Sequence, residues 1–451
     1  MPRVVILGGG QAGLAAARTL LRRRPAGVPL DVTVVSRDTS VVWNGLVSQV
    51  VSSTIQPRDA MLPLRRALPG VTLYPHEVES IDLQRQRVTL KRGPDRAPVR
   101  LDYDFLVLAL GSSTDLSRWP GVAEHAFGAR TVGDAVRLRN HVIRMLDRAS
   151  VEEDAAERRR LLTFVVAGSG FAGVEIAFEL NVLVRGALRF YPAIDPDEVR
   201  TVLVTRSKRI LTALSRDLAE KALHRLRDAG MDVRLRSGLA AATATSAITT
   251  TGERIPTRTL VAAVGQGANA IVDSLPVAQV GGRILCDRHG RVPGWDGVYA
   301  AGDAAAIAAH EGGPPAPATV TSARAQGRLA AVNIVAELTG DVPRTLDATQ
   351  RELALLGRGY GLVQWRGVRR AGLLPALAWH LAFLRAIPSW HRRLTLLLSW
   401  AVSGSFPRDL SVVPLDAATP ARPVAGPAGA GDAQDAQDKV GSISGRGVDY
   451  P

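Results

Sequence analysis

The sequence carries a single cysteine, Cys286. That excludes an internal disulfide, a CxxC or CxxxxC redox pair, and a multi-cysteine metal or iron–sulfur site. Cys286 sits in GGRILCDRHGRV, a strand-and-turn pattern, and reads as a small buried apolar residue. A long apolar run is also missing: none reaches the roughly 18 to 20 residues that a bilayer-spanning helix requires. The longest candidate, AGLLPALAWHLAFL, is interrupted by Pro375 and His380. The N-terminus runs straight into a strand and a Gly-rich turn, with no secretory signal pattern. A cytoplasmic protein is expected, with attachment to a membrane surface left open. No aromatic-interleaved basic groove and no helix-turn-helix pattern is visible, so nucleic acid is not the expected partner. No metal site is expected. The net charge of +14 is carried almost wholly by arginine. It fits an anionic membrane surface, anionic ligands, or simply solvated arginine faces.

What is present is one device used twice. VVILGGGQAGLAAARTL has an apolar strand pattern, then Gly8, Gly10 and Gly13, then a helical pattern. DVTVVS, ending at Ser36, completes a βαβ opening. VVAGSGFAGVEIAFEL repeats the plan with Gly168, Gly170 and Gly173, and VRTVLVT follows, ending at Thr205. In such a turn the first glycine permits the tight bend and the second lets the backbone approach a pyrophosphate. The third lets helix and strand pack closely, and the helix N-terminus supplies the positive end of its dipole. One such turn is weak evidence. Two, each with a strand before and a helix after, imply two dinucleotides, and two dinucleotides suggest a nicotinamide donating hydride to a flavin. YAAGDAA places Gly302 and Asp303 after a strand, where a carboxylate can bond the hydroxyls of a ribityl chain; a plain turn aspartate is the other reading. LVLALGSS, Leu106 to Ser113, is a second strand ending in small residues.

The expected fold is α/β, with two Rossmann-like dinucleotide-binding domains and a C-terminal membrane-surface helical segment. The expected divisions are 1–160 and 269–344 for an FAD domain, 161–268 for an inserted NAD(P)H domain, 345–415 for membrane association and 416–451 for a disordered tail. The tail is Ala, Pro, Gly and Asp-rich with almost no large apolar residues. LLPALAWHLAFLRAI and HRRLTLLLSWAVSGSF are apolar segments edged by Arg385, His391, Arg392 and Arg393, with Trp379, Trp390 and Trp400 interleaved. That pattern suits the headgroup layer; a helical hairpin packed on the core is the other reading. On the first, removing the residues after Ala371 releases the protein from membranes.

Over residues 3 to 413 the chain resembles the type II NADH dehydrogenases, single-chain NADH:quinone oxidoreductases of the two-dinucleotide-binding flavoprotein superfamily. The likeness rests on SQVVSSTIQPRDAMLPLR, GSGFAGVEIAFEL, AAGDAA, ATVTSARAQG, LGRGYGLVQWRG and RRLTLLLSWAVSGSF. The Gly-rich turns are shared across the superfamily, and the C-terminal run is what discriminates. The resemblance implies FAD held by Gly8, Gly10, Gly13, Ser36, Arg37, Val78, Ala109, Gly111, Gly302 and Asp303. It implies NADH or NADPH held by Gly168, Gly170, Gly173, Thr205, Arg206, Gly265 and Gln266. It places Glu175 on the first turn of its helix near the nicotinamide, although the helix dipole alone would favour an acid there. It puts Gln326 and Thr321 on the acceptor side, with a menaquinone or ubiquinone as acceptor. It also implies peripheral attachment to the cytoplasmic face of the cell membrane; a homodimer is left open.

Three positions depart from the family pattern. Ser36 replaces the acid expected at the end of the second strand, with Asp38 close by. Thr205 replaces the acid that would bind the NADH ribose, and Arg206, Ser207, Lys208 and Arg209 follow. Loss of that acid beside cations invites a 2′-phosphate, hence NADPH; a solvated basic turn is the other reading. In VTSARAQ, Thr321 and Ala325 stand where the family has glutamines, and Ala323 and Gln326 survive. The expected activity is hydride transfer from NAD(P)H to FAD and two electrons on to a quinone, without proton pumping. Reduction of a soluble acceptor, or a non-catalytic redox sensor, are the alternatives.

Overall fold

The computed structural model describes residues 1–413 except 26, 28, 93–96, 309–311 and 348–350. The tail expected to be disordered, 416–451, lies outside the described residues. Strand β1 (Arg3–Leu7) is buried at four of five positions, which is why RVVIL is an unbroken apolar run and not an alternating one. Helix α1 (Gln11–Arg23) and strand β2 (Asp31–Val35) follow, then α2 (Asn44–Val51) and β3 (Thr72–Tyr74). An antiparallel meander of three strands leads to β4 (Phe105–Leu108) and the two-residue β5 (Ala126–Phe127). Next come β6 (Thr163–Ala167), α3 (Phe171–Ala187), β7 (Arg200–Val204), β8 (Asp232–Arg234) and β9 (Thr259–Ala262). Strand β10 (Val298–Ala300) and helix α4 (Val320–Thr339) return to the first unit. Strands β11 (Glu352–Leu355), β12 (Gly361–Trp365) and β13 (Val368–Gly372) form an antiparallel sheet. Helices α5 (Leu373–Ala386) and α6 (Trp390–Ser405) follow.

Two five-stranded parallel sheets organise the chain, ordered β10-β4-β1-β2-β3 and β5-β9-β6-β7-β8. The spatial order is the same in both. In each, the strand that opens a Gly-rich turn is central, and the chain reverses direction across the sheet beside it. That reversal opens a crevice at the carboxyl ends of the strands, where nucleotides bind. The outer strands differ in origin. The first sheet takes β10 from after the second unit, and the second takes β5 from before it.

The C-terminal helices are not an appendage. Trp379 and Leu396 are 1% and 0% exposed and belong to the main core with Leu14, Val34 and Leu180. Pro375 is the third residue of α5, where a missing N–H costs nothing because the first turn has no intrahelical acceptor. The Trp400 indole N–H donates to Gln49 Oε1 at 2.7 Å, and the Ser399 hydroxyl donates to the buried Asp59 carboxylate at 3.1 Å. The opposite face is apolar and bare: Leu374 is 78% exposed, Trp390 74% and Leu398 56%. The reading as a hairpin packed on the core holds for one face, and the other face stays exposed and apolar. Truncation after Ala371 would uncover the core, so it would not report on membrane attachment alone. No described helix is long and apolar enough to cross a membrane.

Candidate functional site

The two Gly-rich turns are built alike, atom for atom. The Gly8 N–H donates to Val35 O at 2.8 Å, and the Gly168 N–H donates to Val204 O at 3.0 Å. Both glycines have left-handed φ, +112° and +119°. A Cβ on Gly8 would overlap the Ala109 carbonyl, and one on Gly168 the Ala263 carbonyl. A Cβ on Gly13 would overlap Gly8 O, and one on Gly173 would overlap Gly168 O. These contacts are what bring helix and strand together. Gly10 and Gly170 differ: each is the N-cap of its helix, and a Cβ there meets no atom within 4 Å. Space is left open at the two helix N-termini, where the backbone N–H groups favour a pyrophosphate.

The first crevice fits FAD. Beyond β2, a shallow cleft is lined by Ser36, Asp38, Tyr74 and Pro75. The Ser36 hydroxyl donates to Asp38 O at 2.7 Å, so it shapes the turn. Arg37 is exposed and ion-paired with Asp38 and Glu77. Val78 turns its side chain into the second hydrophobic core, which leaves only its backbone to offer a nucleotide. The Ala109 N–H donates to Leu7 O at 2.9 Å, and Gly111 turns the chain at φ +70°. Gln326 is 1% exposed, and its Oε1 accepts from the Gly302 N–H at 2.7 Å. Its Nε2 is buried with no partner. An orphaned donor at that depth is costly unless a ligand completes it, and a flavin carbonyl is an acceptor of the right kind.

Expectations from opposite halves of the chain meet at Asp303. Its Oδ2 accepts from Ser112 Oγ and from Gln266 Nε2, both at 3.1 Å. Arg130 Nη2 donates to Ser112 Oγ at 2.8 Å. The Asp115 N–H donates to Gly265 O at 2.8 Å, and Ser113 pairs with Gly267, which ties the two units together there. Ser112 and Arg130 escaped the sequence reading, because nothing in SS or in an isolated arginine marks the partner of an aspartate 191 residues away in the case of Ser112.

Two expected residues stand differently. Glu175 is the fifth residue of α3, past the first turn, and is 6% exposed. Its Oε1 accepts from the Leu355 N–H at 3.2 Å, so it faces β11 and is not displayed at the open helix end. Thr205 is buried, and its hydroxyl is shared with Ser169 Oγ at 2.8 Å and the Ser207 N–H at 3.2 Å. It braces the turn from inside. Arg206 and Lys208 are exposed on the outside of the same turn. Arg236 is exposed too, at φ +57°, and its N–H donates to Ser207 O at 3.1 Å.

Thr321, expected on the acceptor side, is half-buried on α4, five residues before Gln326. Glu352, which the sequence reading passed over, packs at the start of α4. It is 7% exposed, and the Thr319 hydroxyl donates to its Oε1 at 3.1 Å. An acid inside the apolar strand ELALL was the available signal. Burial pushes the Glu352 carboxyl up to about 7 and the Glu175 carboxyl up to about 8. Both carboxyls keep a proton available near neutrality. A carboxyl whose folded pKa lies above its unfolded value contributes stability that is fully present below the unfolded value. That contribution fades as pH climbs from 4.5 to about 8 for Glu175. Glu175→Gln keeps an acceptor for Leu355 and carries no charge. Its Tm is expected to match the wild type near about pH 5 and to exceed it by several degrees near about pH 9. Equal Tm differences at both pH values would show that Glu175 does not hold its proton.

A type II NADH:quinone oxidoreductase of Mycobacterium tuberculosis is 29% identical, over 89% of this chain and 87% of that one. The structure of NDH2 from Plasmodium falciparum with NADH superposes with a TM-score of 0.80 at 15% identity, covering 91% of this chain and 99% of that one. An engineered water-forming NADPH oxidase bound to NADPH superposes with a TM-score of 0.60 at 18% identity, covering 80% of this chain and 74% of that one. Three of its changes are consecutive: aspartate to alanine, alanine to arginine and methionine to serine. The family model for pyridine nucleotide-disulphide oxidoreductases matches residues 2–327, and with both nucleotide turns intact the chain belongs to that family.

Proposed function

We propose that the chain is an FAD-dependent NAD(P)H:quinone oxidoreductase of the type II kind, working at a membrane surface without pumping protons. The contact between Gln266, from the strand end after the second turn, and Asp303, from the first unit, carries this reading. It joins the two nucleotide crevices at their open ends. Residues 1–160 and 269–344 then serve FAD, 161–268 serve NAD(P)H, and 345–415 serve the membrane. FAD, when bound, supplies a two-electron acceptor that can pass electrons to a quinone.

The chain's own work is positioning. Gly8, Gly10 and Gly13 admit one pyrophosphate, and Gly168, Gly170 and Gly173 the other. Asp303 holds the ribityl side, Gln326 orients the Gly302 turn and offers Nε2, and Gly265 and Gln266 border the nicotinamide. Thr321 and Gln326 face the acceptor. Glu352 and Glu175 hold protons behind it at their Oε atoms. With Cys286 buried and alone, no dithiol can take part. For the donor, the exposed Arg206, Lys208 and Arg236 around Thr205 support a 2′-phosphate, so NADPH is accepted. The engineered NADPH oxidase carries arginine and serine after a lost aspartate; this chain reads Thr205, Arg206, Ser207.

Thr321 and Ala325, standing for two glutamines, favour the second reading, reduction of a soluble acceptor. An anaerobic experiment separates the two. NADH or NADPH should bleach the flavin, and a menaquinone or ubiquinone analogue should restore its colour within the turnover time. Bleaching without reoxidation by any quinone would remove the quinone from the proposal and leave the dehydrogenase half standing.

A further inference from the structure

Six arginines of α1, α4, the start of β11 and the start of α6 stand within electrostatic reach of one another. Arg18 and Arg22 lie one turn apart on α1, and Arg324 and Arg328 one turn apart on α4. Arg351 precedes β11, and Arg393 is in the first turn of α6. The two long helices touch closely, since a Cβ on Gly327 would overlap the Ala12 backbone. Burial, and then Arg328, Arg18 and Arg351, push the Arg324 guanidinium down to about 10. Burial, and then Arg22 and Arg393, lower that of Arg18. Among the described residues none of the six is ion-paired, whereas Arg87, Arg158, Arg258 and Arg291 each have a carboxylate. Like charges gathered at a partly buried place repel unless an anion joins them.

The neighbourhood names the anion. Arg393 Nε donates to Ile387 O at 2.8 Å, which fixes it at the turn between α5 and α6. The next residues on α6 include Leu394, Leu397 and Leu398, which are 44%, 45% and 56% exposed. The cationic cluster is therefore continuous with the bare apolar face. We propose that the cluster is a cradle for the phosphates of anionic phospholipids, seated beside the apolar face as that face enters the boundary between headgroups and acyl chains. The apolar face alone would bind any lipid; the arginines add a preference for negative charge. This inference rests on the membrane reading above and adds to it the lipid class and the residues that select it.

Vesicle sedimentation with the full-length holoprotein tests it. One set of vesicles is phosphatidylcholine alone, and the other two parts phosphatidylcholine to one part phosphatidylglycerol. The wild type is expected to bind the anionic set at least about tenfold more tightly at low salt, and to lose that preference at high salt. Arg22→Gln/Arg328→Gln, both exposed, should abolish most of the preference and leave binding to neutral vesicles unchanged. The charge-matched control Arg227→Gln/Arg254→Gln on the second unit should keep it. Leu374→Gln/Leu398→Gln should weaken binding to both sets alike. If the two arginine pairs behave the same, the cradle is overturned while the membrane reading survives. If the wild type binds neither set, both fall. If inorganic phosphate displaces the protein from vesicles far better than chloride of equal ionic strength, the cluster is a site for soluble anions and the lipid assignment is overturned.

Discussion

Gly10→Ala should purify folded and nearly colourless, whereas Gly13→Ala should lose both flavin and stability. The two glycines share one turn but face different things. A methyl group on Gly10 meets no protein atom within 4 Å, so the apoprotein has no reason to object. The same methyl stands where the backbone approaches a pyrophosphate, and flavin retention should fall by at least about tenfold, in line with the roughly 1–3 kcal/mol cost of overpacking. On Gly13 the methyl overlaps the Gly8 carbonyl. Helix α1 then has to move off β1, which loosens its contact with α4 as well. The flavin-to-protein absorbance ratio and the Tm of the flavin-stripped protein read the two effects separately. A Gly10→Ala protein that keeps its full flavin complement would mean that the open space is not the pyrophosphate seat.

The second large effect is on nucleotide choice. Arg206→Ala/Arg236→Ala should raise KM for NADPH by about 10- to 100-fold and leave KM for NADH within about twofold. Charge-assisted bonds to a phosphate contribute roughly 1.5–3 kcal/mol, and each 1.4 kcal/mol is tenfold. Neither arginine is ion-paired among the described residues, so little else is lost with them. Steady-state kinetics with both nucleotides decides. An equal rise for NADH and NADPH would assign the pair to general binding, and no change for either would make the turn an ordinary solvated one.

Much of this site was legible because close approach leaves a chemical trace. Where backbone must meet backbone only glycine fits, so Gly8, Gly13, Gly168 and Gly173 announce themselves by spacing. Asp303 announces itself by standing after a strand and a glycine. What the sequence does not carry is where a side chain points once packed. Glu175 looked like a helix-start acid, but one more residue of helix turned it inward toward Leu355. The Thr205 hydroxyl is likewise consumed from inside, by Ser169 and Ser207, and leaves only the cations beside it exposed. The Gln326 bond to the Gly302 turn joins residues 24 apart, and that of Gln266 to Asp303 joins residues 37 apart. Neither separation follows any local period. The C-terminal helices gave their composition but not their two-sidedness, since tryptophans serve cores and interfaces equally well.

The origin of β5 bears on how the chain can be divided. β10 pairs with Leu106 and Leu108 inside the first unit, but β5 lies across the boundary expected at 161, pairing with Leu260 and Val261. A fragment cut at 161–268 would leave one side of β9 bare, with the ladder groups that β5 satisfies offered to any passing strand. The remainder would stay whole in its first sheet yet carry an orphaned β5. A fragment meant to stand alone should therefore start upstream of Ala126, and a chimaera that swaps donor specificity should carry β5 along with the second turn.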